Sequence, residues 1–387
     1  MSNPAAHAPL LETARAFRPR ILAERERIED GRRLPHDLAQ ALASAGFFRI
    51  FVPEAYGGLD LEPMAAIEVY EELARADASV AWCVWNGNTH WTTVQLAPEV
   101  AGAIHAEPDV IIANSTRASG KAEVVDSGYR VTGRWALVSG CQLASWMILL
   151  CTVHEDGKPR LASVGAPETR FMLCPASACE IIDTWMVGGL RGTGSHDVVV
   201  HDLFVPGPYA SSPTDPIVLS GSRYRLPLAA RIGSGLGAMA LGIARCAVDT
   251  LVELAVAKRP DRTTQRLCDD HGAQAQIAQA EALVRSARLF LFDSVSRLWG
   301  QVMTEGRAAM EARADLRLAI CHAVSNAVQA VDLVYRTAGA TSLYASCPIE
   351  RAFRDVHAIT QHIGVHPRLM EAAGRVLFGL EPNNPMI

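Results

Sequence analysis

Three histidines, His357, His362 and His366, crowd the run Arg354-Asp355-Val356-His357-Ala358-Ile359-Thr360-Gln361-His362-Ile363-Gly364-Val365 and the residue after it. An imidazole titrates near neutrality, so it can give or take a proton at working pH. His362 and His366 are one helical turn apart, a spacing at which two histidines can share a metal ion. Gly364 and Pro367 break a clean helix there and no carboxylate completes a ligand set, so the expectation is proton handling and no metal. A second cluster, Trp82, Trp85, His90 and Trp91, sets three indoles round one histidine. Indoles serve helix packing, but around a polar centre they also grip an aromatic ring by stacking.

Two glycine-rich stretches invite comparison with phosphate-binding loops. Arg191-Gly192-Thr193-Gly194-Ser195 lacks the Gly-Lys-Ser/Thr ending and is followed by a strand pattern, which excludes a P-loop. Gly233-Ser234-Gly235-Leu236-Gly237-Ala238 nearly fits the dinucleotide fingerprint, but no apolar strand precedes it. The expectation there is close helix packing by small residues and no nicotinamide site.

The elements that position these residues change character twice along the chain. Residues 1–107 carry helical periodicity, with an extended piece at 47–58 and helices expected at 62–76 and 79–95. From 108 to 215 short β-rich runs are separated by Gly and Asp-Gly turns. Strands are expected at Val110–Ile112, Ala122–Val125, Tyr129–Gly133, Trp146–Val153, Cys179–Trp185 and His196–Val205. Residues 216–387 return to helix, with long candidates at 227–257, 271–300 and 309–337, then 349–360 and a last one after Pro367. A strand block between two helical blocks disfavours a doubly wound fold. The expected class is mainly α with a central β domain.

The 387 residues are about half apolar, enough for a large core, and the net charge is −5. No basic patch marks a nucleic-acid or anionic-membrane partner. Nine cysteines without a regular framework read as reduced thiols, and the first residues show no signal-peptide pattern. Both point to the cytoplasm. The apolar stretch from Leu226 to Ala257 is broken by Arg231, Arg245, Asp249 and Glu253, so it reads as a bundle helix rather than a membrane span.

Four segments in order resemble the acyl-CoA dehydrogenase superfamily: Leu42-x3-Gly46-Phe47 with Val52-Pro53-x2-Tyr56-Gly57-Gly58; Gly133-Arg134-Trp135-x3-Ser139-Gly140; Gly189-Leu190-Arg191-Gly192-Thr193-Gly194-Ser195 with Phe204-Val205-Pro206; and Arg351-x2-Arg354-Asp355. The resemblance implies an N-terminal helical domain, a β-barrel-like middle domain and a C-terminal four-helix bundle. It also implies a flavin between the last two, and a homotetramer or homodimer. Two positions depart from the dehydrogenases. Where they keep a catalytic carboxylate, this chain has Ser346 or Ile363, and neither can act as a base.

With His362 beside Ile363, and with Ser139-Gly140-Cys141, the chain resembles the reduced-flavin-dependent two-component monooxygenases of the same superfamily. That resemblance implies reduced FMN or FAD supplied by a separate NAD(P)H-dependent flavin reductase. Oxygen would add at flavin C4a to form a hydroperoxide, and the outer oxygen would pass to an aromatic or heteroaromatic small molecule. The implied catalytic residues are His362, His90 and Ser139, with Ser139 at flavin N5. The substrate would meet His90, Ser115 (or the adjacent Thr116), Trp85 and Trp91. The flavin would meet Ser139, Trp135, Ser115, Arg191, Gly192, Thr193 and His362. The alternatives are an acyl-thioester dehydrogenase with a displaced base, a sulfur- or amine-oxidising enzyme of this fold, and a catalytically silent subunit.

Overall fold

The structure is a computed structural model and describes residues 4–88, 93–162, 165–212, 214–384 and 386–387. Among the described residues six helices come first: α1 Pro4–Ala23, α2 Arg25–Gly31, α3 His36–Ser44, α4 Pro63–Ala76, α5 Ala78–Gly87 and α6 Pro98–Ile104. Eight strands follow: β1 Ile112–Val125, β2 Gly128–Val138, β3 Trp146–Glu155, β4 Lys158–Pro159, β5 Thr169–Pro175, β6 Glu180–Ile182, β7 His196–Pro206 and β8 Ala210–Ser211. The chain closes with α7 Leu228–Ala257, α8 His271–Glu305, α9 Met310–Ala338, α10 Pro348–Ile359 and α11 Arg368–Leu377. The mainly helical class with a central sheet is therefore what the chain adopts.

The strands lie in one sheet, ordered β6-β7-β2-β1-β3-β5-β8, with β4 attached to β3. Only β1 and β3 run parallel; the other pairs are antiparallel. The two short runs expected at 110–112 and 122–125 are largely one long strand, β1, with a register break between Ser115 and Gly120. Strand β5 carries no alternating pattern because Phe171, Met172, Leu173 and Cys174 are all buried, and it escapes a period-two reading.

Tight backbone contacts set the sheet's inner layer. A methyl on Gly120 would lie 2.0 Å from Trp135 Cζ2 and 2.8 Å from Cys151 Sγ. Trp135 is fully buried there, and its indole N–H donates to Leu150 O at 2.7 Å. Gly120→Ala should cost about 3 kcal/mol by overpacking. Gly102→Ala, in α6 where no atom stands within 4 Å, should be neutral or slightly stabilising. Urea midpoints of the two variants check this; equal midpoints would mean the tryptophan can shift freely.

Two expectations in the first block change. The piece at 47–58 is not extended but forms two 3-10 turns, Phe47–Arg49 and Glu54–Tyr56, because it wraps the buried Arg49 side chain. That guanidinium donates to the carbonyls of Gly57 at 2.8 Å, Glu107 at 2.9 Å and His105. Helix α5 stops at Gly87 instead of running to 95. Asn88 ends it, its Nδ2 donating to Val84 O at 2.7 Å and Phe47 O at 2.9 Å.

Helix α7 packs on α4, α8, α9 and α10. The glycines at 233, 235 and 237 make that approach possible: added methyls would meet Ile320 Cδ1 at 2.5 Å, Trp85 Cδ1 at 2.3 Å and Leu291 Cδ2 at 3.0 Å. The near-fingerprint thus serves helix packing.

Candidate active site

Helix α10 brings the histidine run to the junction of sheet and helices, and charged groups hold it there. Asp355 is buried and its Oδ1 accepts the Leu190 N–H at 2.6 Å, tying α10 to the loop before β7. Arg354 pairs with Glu29 at 2.8 Å and Glu350 at 2.6 Å; Arg351 reaches Asp77 at 3.2 Å. Asp77 also caps α5, accepting from Ser79 N at 2.9 Å and Val80 N at 3.2 Å. Four parts of the chain meet in this cluster: α2, the start of α5, the loop before β7, and α10.

Burial, reinforced by Asp77 and opposed by the Leu190 bond, pushes the Asp355 carboxyl up to about 7. A folded pKa above the unfolded value stabilises the protonated form. That contribution is full below about pH 4 and is lost as pH rises through about 7. Three pKa units would carry about 4 kcal/mol if nothing relaxed, so about 2 kcal/mol is expected. Asp355→Asn keeps an oxygen for Leu190 and cannot ionise. Its stability relative to the parent chain should rise across about pH 4 to 7, measured by denaturant unfolding. A constant difference would show that Asp355 is ionised throughout.

After α10 the chain turns at His362, which begins the 3-10 turn Ile363–Val365. Its Nδ1 accepts the Gly364 N–H at 3.0 Å, which leaves the proton on Nε2. Gly364 has no room for a side chain: a methyl there would lie 2.8 Å from Leu236 Cδ1 and 3.0 Å from His362 Nδ1. The imidazole packs edge-on against Trp82 and Trp85, each with ring centroids 5.7 Å away, and the two indoles stand 5.0 Å apart. Burial, then the charges of Arg117 and Arg317, push the His362 pKa down to about 4. The sequence alone suggests titration near neutrality; the packed ring is instead a neutral Nε2–H donor. Among the described residues no group accepts from that Nε2.

Trp82 also reaches Ser139, whose Oγ accepts its indole N–H at 2.9 Å and shares a 2.7 Å bond with Ser195 Oγ. Ser195 continues to Thr193 Oγ1 at 2.7 Å, and Thr193 donates to Leu190 O at 2.9 Å. The backbone reinforces the match: Gly140 N donates to Thr193 O at 2.8 Å, and Cys141 Sγ to Gly194 O at 3.5 Å. Gly140 at φ 72° and Gly194 at φ 53° supply the left-handed turns that let these two loops lie together. Asn86 closes the rim, its Nδ2 donating to Ser139 O at 3.0 Å and its carbonyl accepting from Asn114 at 2.8 Å.

So the structure brings together His362, Ser139, Thr193 and Trp85. Trp82, expected only as one of three indoles for stacking, joins them, as do Asn86, Asn114 and Ser195, which are not among the expected site residues. Ser195 was legible as the last member of a glycine-flanked Thr/Ser pair; Asn86 carries no signal beyond standing beside Trp85. His90 and Trp91 lie outside the described residues.

Other expected contacts need correction. Trp135 does not face this cluster but is sealed in the sheet. Arg191 pairs with Glu29, its Nε 3.2 Å from that carboxylate. Gly192 is small because a methyl would lie 2.1 Å from Ile28 Cγ2 and 3.0 Å from Ser79 Cβ, which is helix packing and not a ligand cradle. Ser115 is buried on β1 and its Oγ accepts the Arg117 N–H at 3.4 Å; the neighbouring Asn114 makes the contact to α5. His357 pairs with Asp332 at 3.0 Å, and His366 accepts from Arg368 N at 3.2 Å.

At the positions where a dehydrogenase keeps its base, Ser346 and Ile363 are both exposed, and the nearby Glu350 is bound by Arg354. The cluster that remains suits a flavin. It offers an apolar indole wall, a hydroxyl string for a ring nitrogen, and an imidazole N–H with no acceptor among the described residues.

Models of the acyl-CoA dehydrogenase N-terminal and C-terminal domains match residues 4–97 and 234–367. The chain is 30% identical to an indole-3-acetate monooxygenase of Pseudomonas putida, over 98% of this chain and 97% of that one. It is 32% identical to the oxygenase component of an FADH2-dependent resorcinol hydroxylase of Rhizobium sp. (strain MTP-10005), over 92% and 90%. The crystal structure of the HsaA monooxygenase from M. tuberculosis superposes with a TM-score of 0.89 at 29% identity, covering 98% of this chain and all of that one. The chain belongs to the acyl-CoA dehydrogenase superfamily, among its flavin-dependent monooxygenase oxygenase components.

Proposed function

We propose that this protein takes reduced FMN or FAD from a separate NAD(P)H-dependent reductase and uses O2 to hydroxylate an aromatic or heteroaromatic small molecule. One observation carries the reading: a neutral imidazole donor packs edge-on against two indoles, next to Ile363, one of the two positions where the dehydrogenase chemistry would need a carboxylate. The bound flavin supplies the two electrons and the carbon at which oxygen is activated.

The chain's residues do the rest. Ser139 holds the N5 edge of the ring. His362 donates from Nε2 to the oxygen being transferred and to the water-forming oxygen left behind. Trp82 and Trp85 keep bulk water from that donor. Trp85 and Trp91 stack on the substrate ring, and His90 and Ser115 hold its polar substituent. The description of a similar protein as the oxygenase component of an FADH2-dependent hydroxylase supports a separate reductase. Work in the cytoplasm as a homotetramer or homodimer is consistent with the composition and the family.

The test is anaerobic loading with reduced FMN or FAD, then oxygen. A lag between oxygen uptake and return of oxidised-flavin absorbance, with hydroxylated product, is expected. Reduction of the oxidised-flavin form by an acyl-CoA would overturn the reading in favour of a dehydrogenase. No binding of either flavin would favour a silent subunit.

A further inference from the structure

A single-file hydrogen-bond string crosses from α5 to the loop before β7: Trp82 Nε1, Ser139 Oγ, Ser195 Oγ, Thr193 Oγ1, Leu190 O, with steps of 2.9, 2.7, 2.7 and 2.9 Å. Ser139, Ser195 and Thr193 are all buried, and among the described residues the two inner hydroxyls have no other side-chain partner. Both ends have fixed polarity. An indole nitrogen only donates and a carbonyl only accepts, whereas each hydroxyl has one proton to give.

The direction of every bond follows. The Thr193 proton goes to Leu190 O, so Thr193 can only accept from Ser195. The Ser195 proton is thereby used, so Ser195 can only accept from Ser139. Ser139 then has no proton left. With one lone pair taken by Trp82, it keeps a single acceptor position. The reverse arrangement would forgo the bond to Leu190 O and bring two donors onto Ser139. Being one bond poorer in a buried place, it is disfavoured.

We infer that Thr193 and Ser195 are positioning residues that lock the Ser139 hydroxyl as an acceptor, so that it discriminates between ligand groups that carry a proton and groups that do not. The glycines of Gly192-Thr193-Gly194-Ser195 let the loop lie close enough to make the string; its hydroxyls set the polarity. This rests on the proposed function, in which Ser139 meets flavin N5. Reduced flavin carries a proton on N5 and oxidised flavin carries a lone pair there. The locked serine therefore accepts from the first and opposes the second. The site would select the flavin's redox state through a residue, Thr193, that need not touch the flavin.

The experiment compares dissociation constants of reduced flavin (anaerobic) and oxidised flavin, FMN and FAD each, for the parent chain and four variants. Thr193→Val and Ser195→Ala break the string at different links and free Ser139 to donate. Each should lower the reduced-over-oxidised preference about tenfold or more, chiefly by tightening the oxidised form. Thr193→Ser preserves the string and should keep the preference. Ser139→Ala removes the acceptor and should lower the preference by weakening the reduced form. An unchanged preference in both string-breaking variants, with a change in Ser139→Ala, would overturn the lock. An unchanged preference in Ser139→Ala as well would place the serine away from N5 and also overturn it, while leaving the oxygenase reading intact. A parent chain that binds neither flavin would sink both.

Discussion

Replacing His362 with alanine is expected to lower hydroxylated product per oxygen consumed by about 100-fold, the low end of what a positioned proton partner contributes. The geometry explains why the loss should fall on coupling rather than on flavin binding. Nδ1 is fixed by the Gly364 N–H, and Trp82 and Trp85 hold the ring edge-on, so Nε2–H is the one polar group the ring can aim at a reacting oxygen. Without it, reducing equivalents should leave as hydrogen peroxide. His362→Gln restores an N–H donor at similar reach and should recover part of the coupling. Oxygen-electrode traces with product and peroxide analysis decide the matter. Unchanged coupling in the alanine variant would remove His362 from the chemistry. Because its pKa is pushed down to about 4, His362 should add no rising limb to the coupling profile between about pH 6 and 8, where an unperturbed histidine would.

Arg317→Met should cost about 3 kcal/mol of stability and disturb the same turn. This arginine, buried in α9, donates to Gly364 O at 2.8 Å, Met386 O at 2.6 Å and Ala229 O at 3.2 Å. It thus joins the histidine turn to the start of α7 and to the last residues of the chain. Methionine fills much the same volume but leaves three carbonyls without that donor, and bonds to a charged donor are the stronger kind. Relief from burying an uncompensated charge returns part of the loss, hence a net figure below the sum of three bonds. The Arg317 charge also helps hold the imidazole neutral, so the His362 pKa should rise in this variant. Denaturant unfolding reads the first effect and an NMR titration of the imidazole the second. A rise in pKa without loss of stability would mean that the arginine acts by charge alone. Loss of stability with an unmoved pKa would mean that it acts only as a brace.

Much of the architecture was legible because long elements carry periodic signals. The helices at 228–257, 271–305 and 310–338 match their expected spans within a few residues, since each keeps an apolar face over many turns. Short elements failed where burial erased the pattern, as in β5, or where one side chain organised the backbone. Arg49 turned an expected extended run into 3-10 turns, and Asn88 ended α5 early. Neither hydrogen-bonding arrangement has a sequence period.

By itself the sequence determined the residue chemistry: a histidine and not a carboxylate beside Ile363, an indole-rich helix, a hydroxyl-bearing loop with glycines on both sides, and no dinucleotide fingerprint after a strand. Composition and order suffice for such statements because they concern which groups exist. The tertiary structure alone decided which groups meet and in what state. It set Trp135 in the sheet interior, paired Arg191 with Glu29 and packed Gly192 on Ile28. It joined Trp82, Asn86 and Ser195 to partners more than fifty residues away in the chain. It also moved His362 from a titrating base to a neutral donor, since desolvation and two cations act through space and leave no mark in the order of residues.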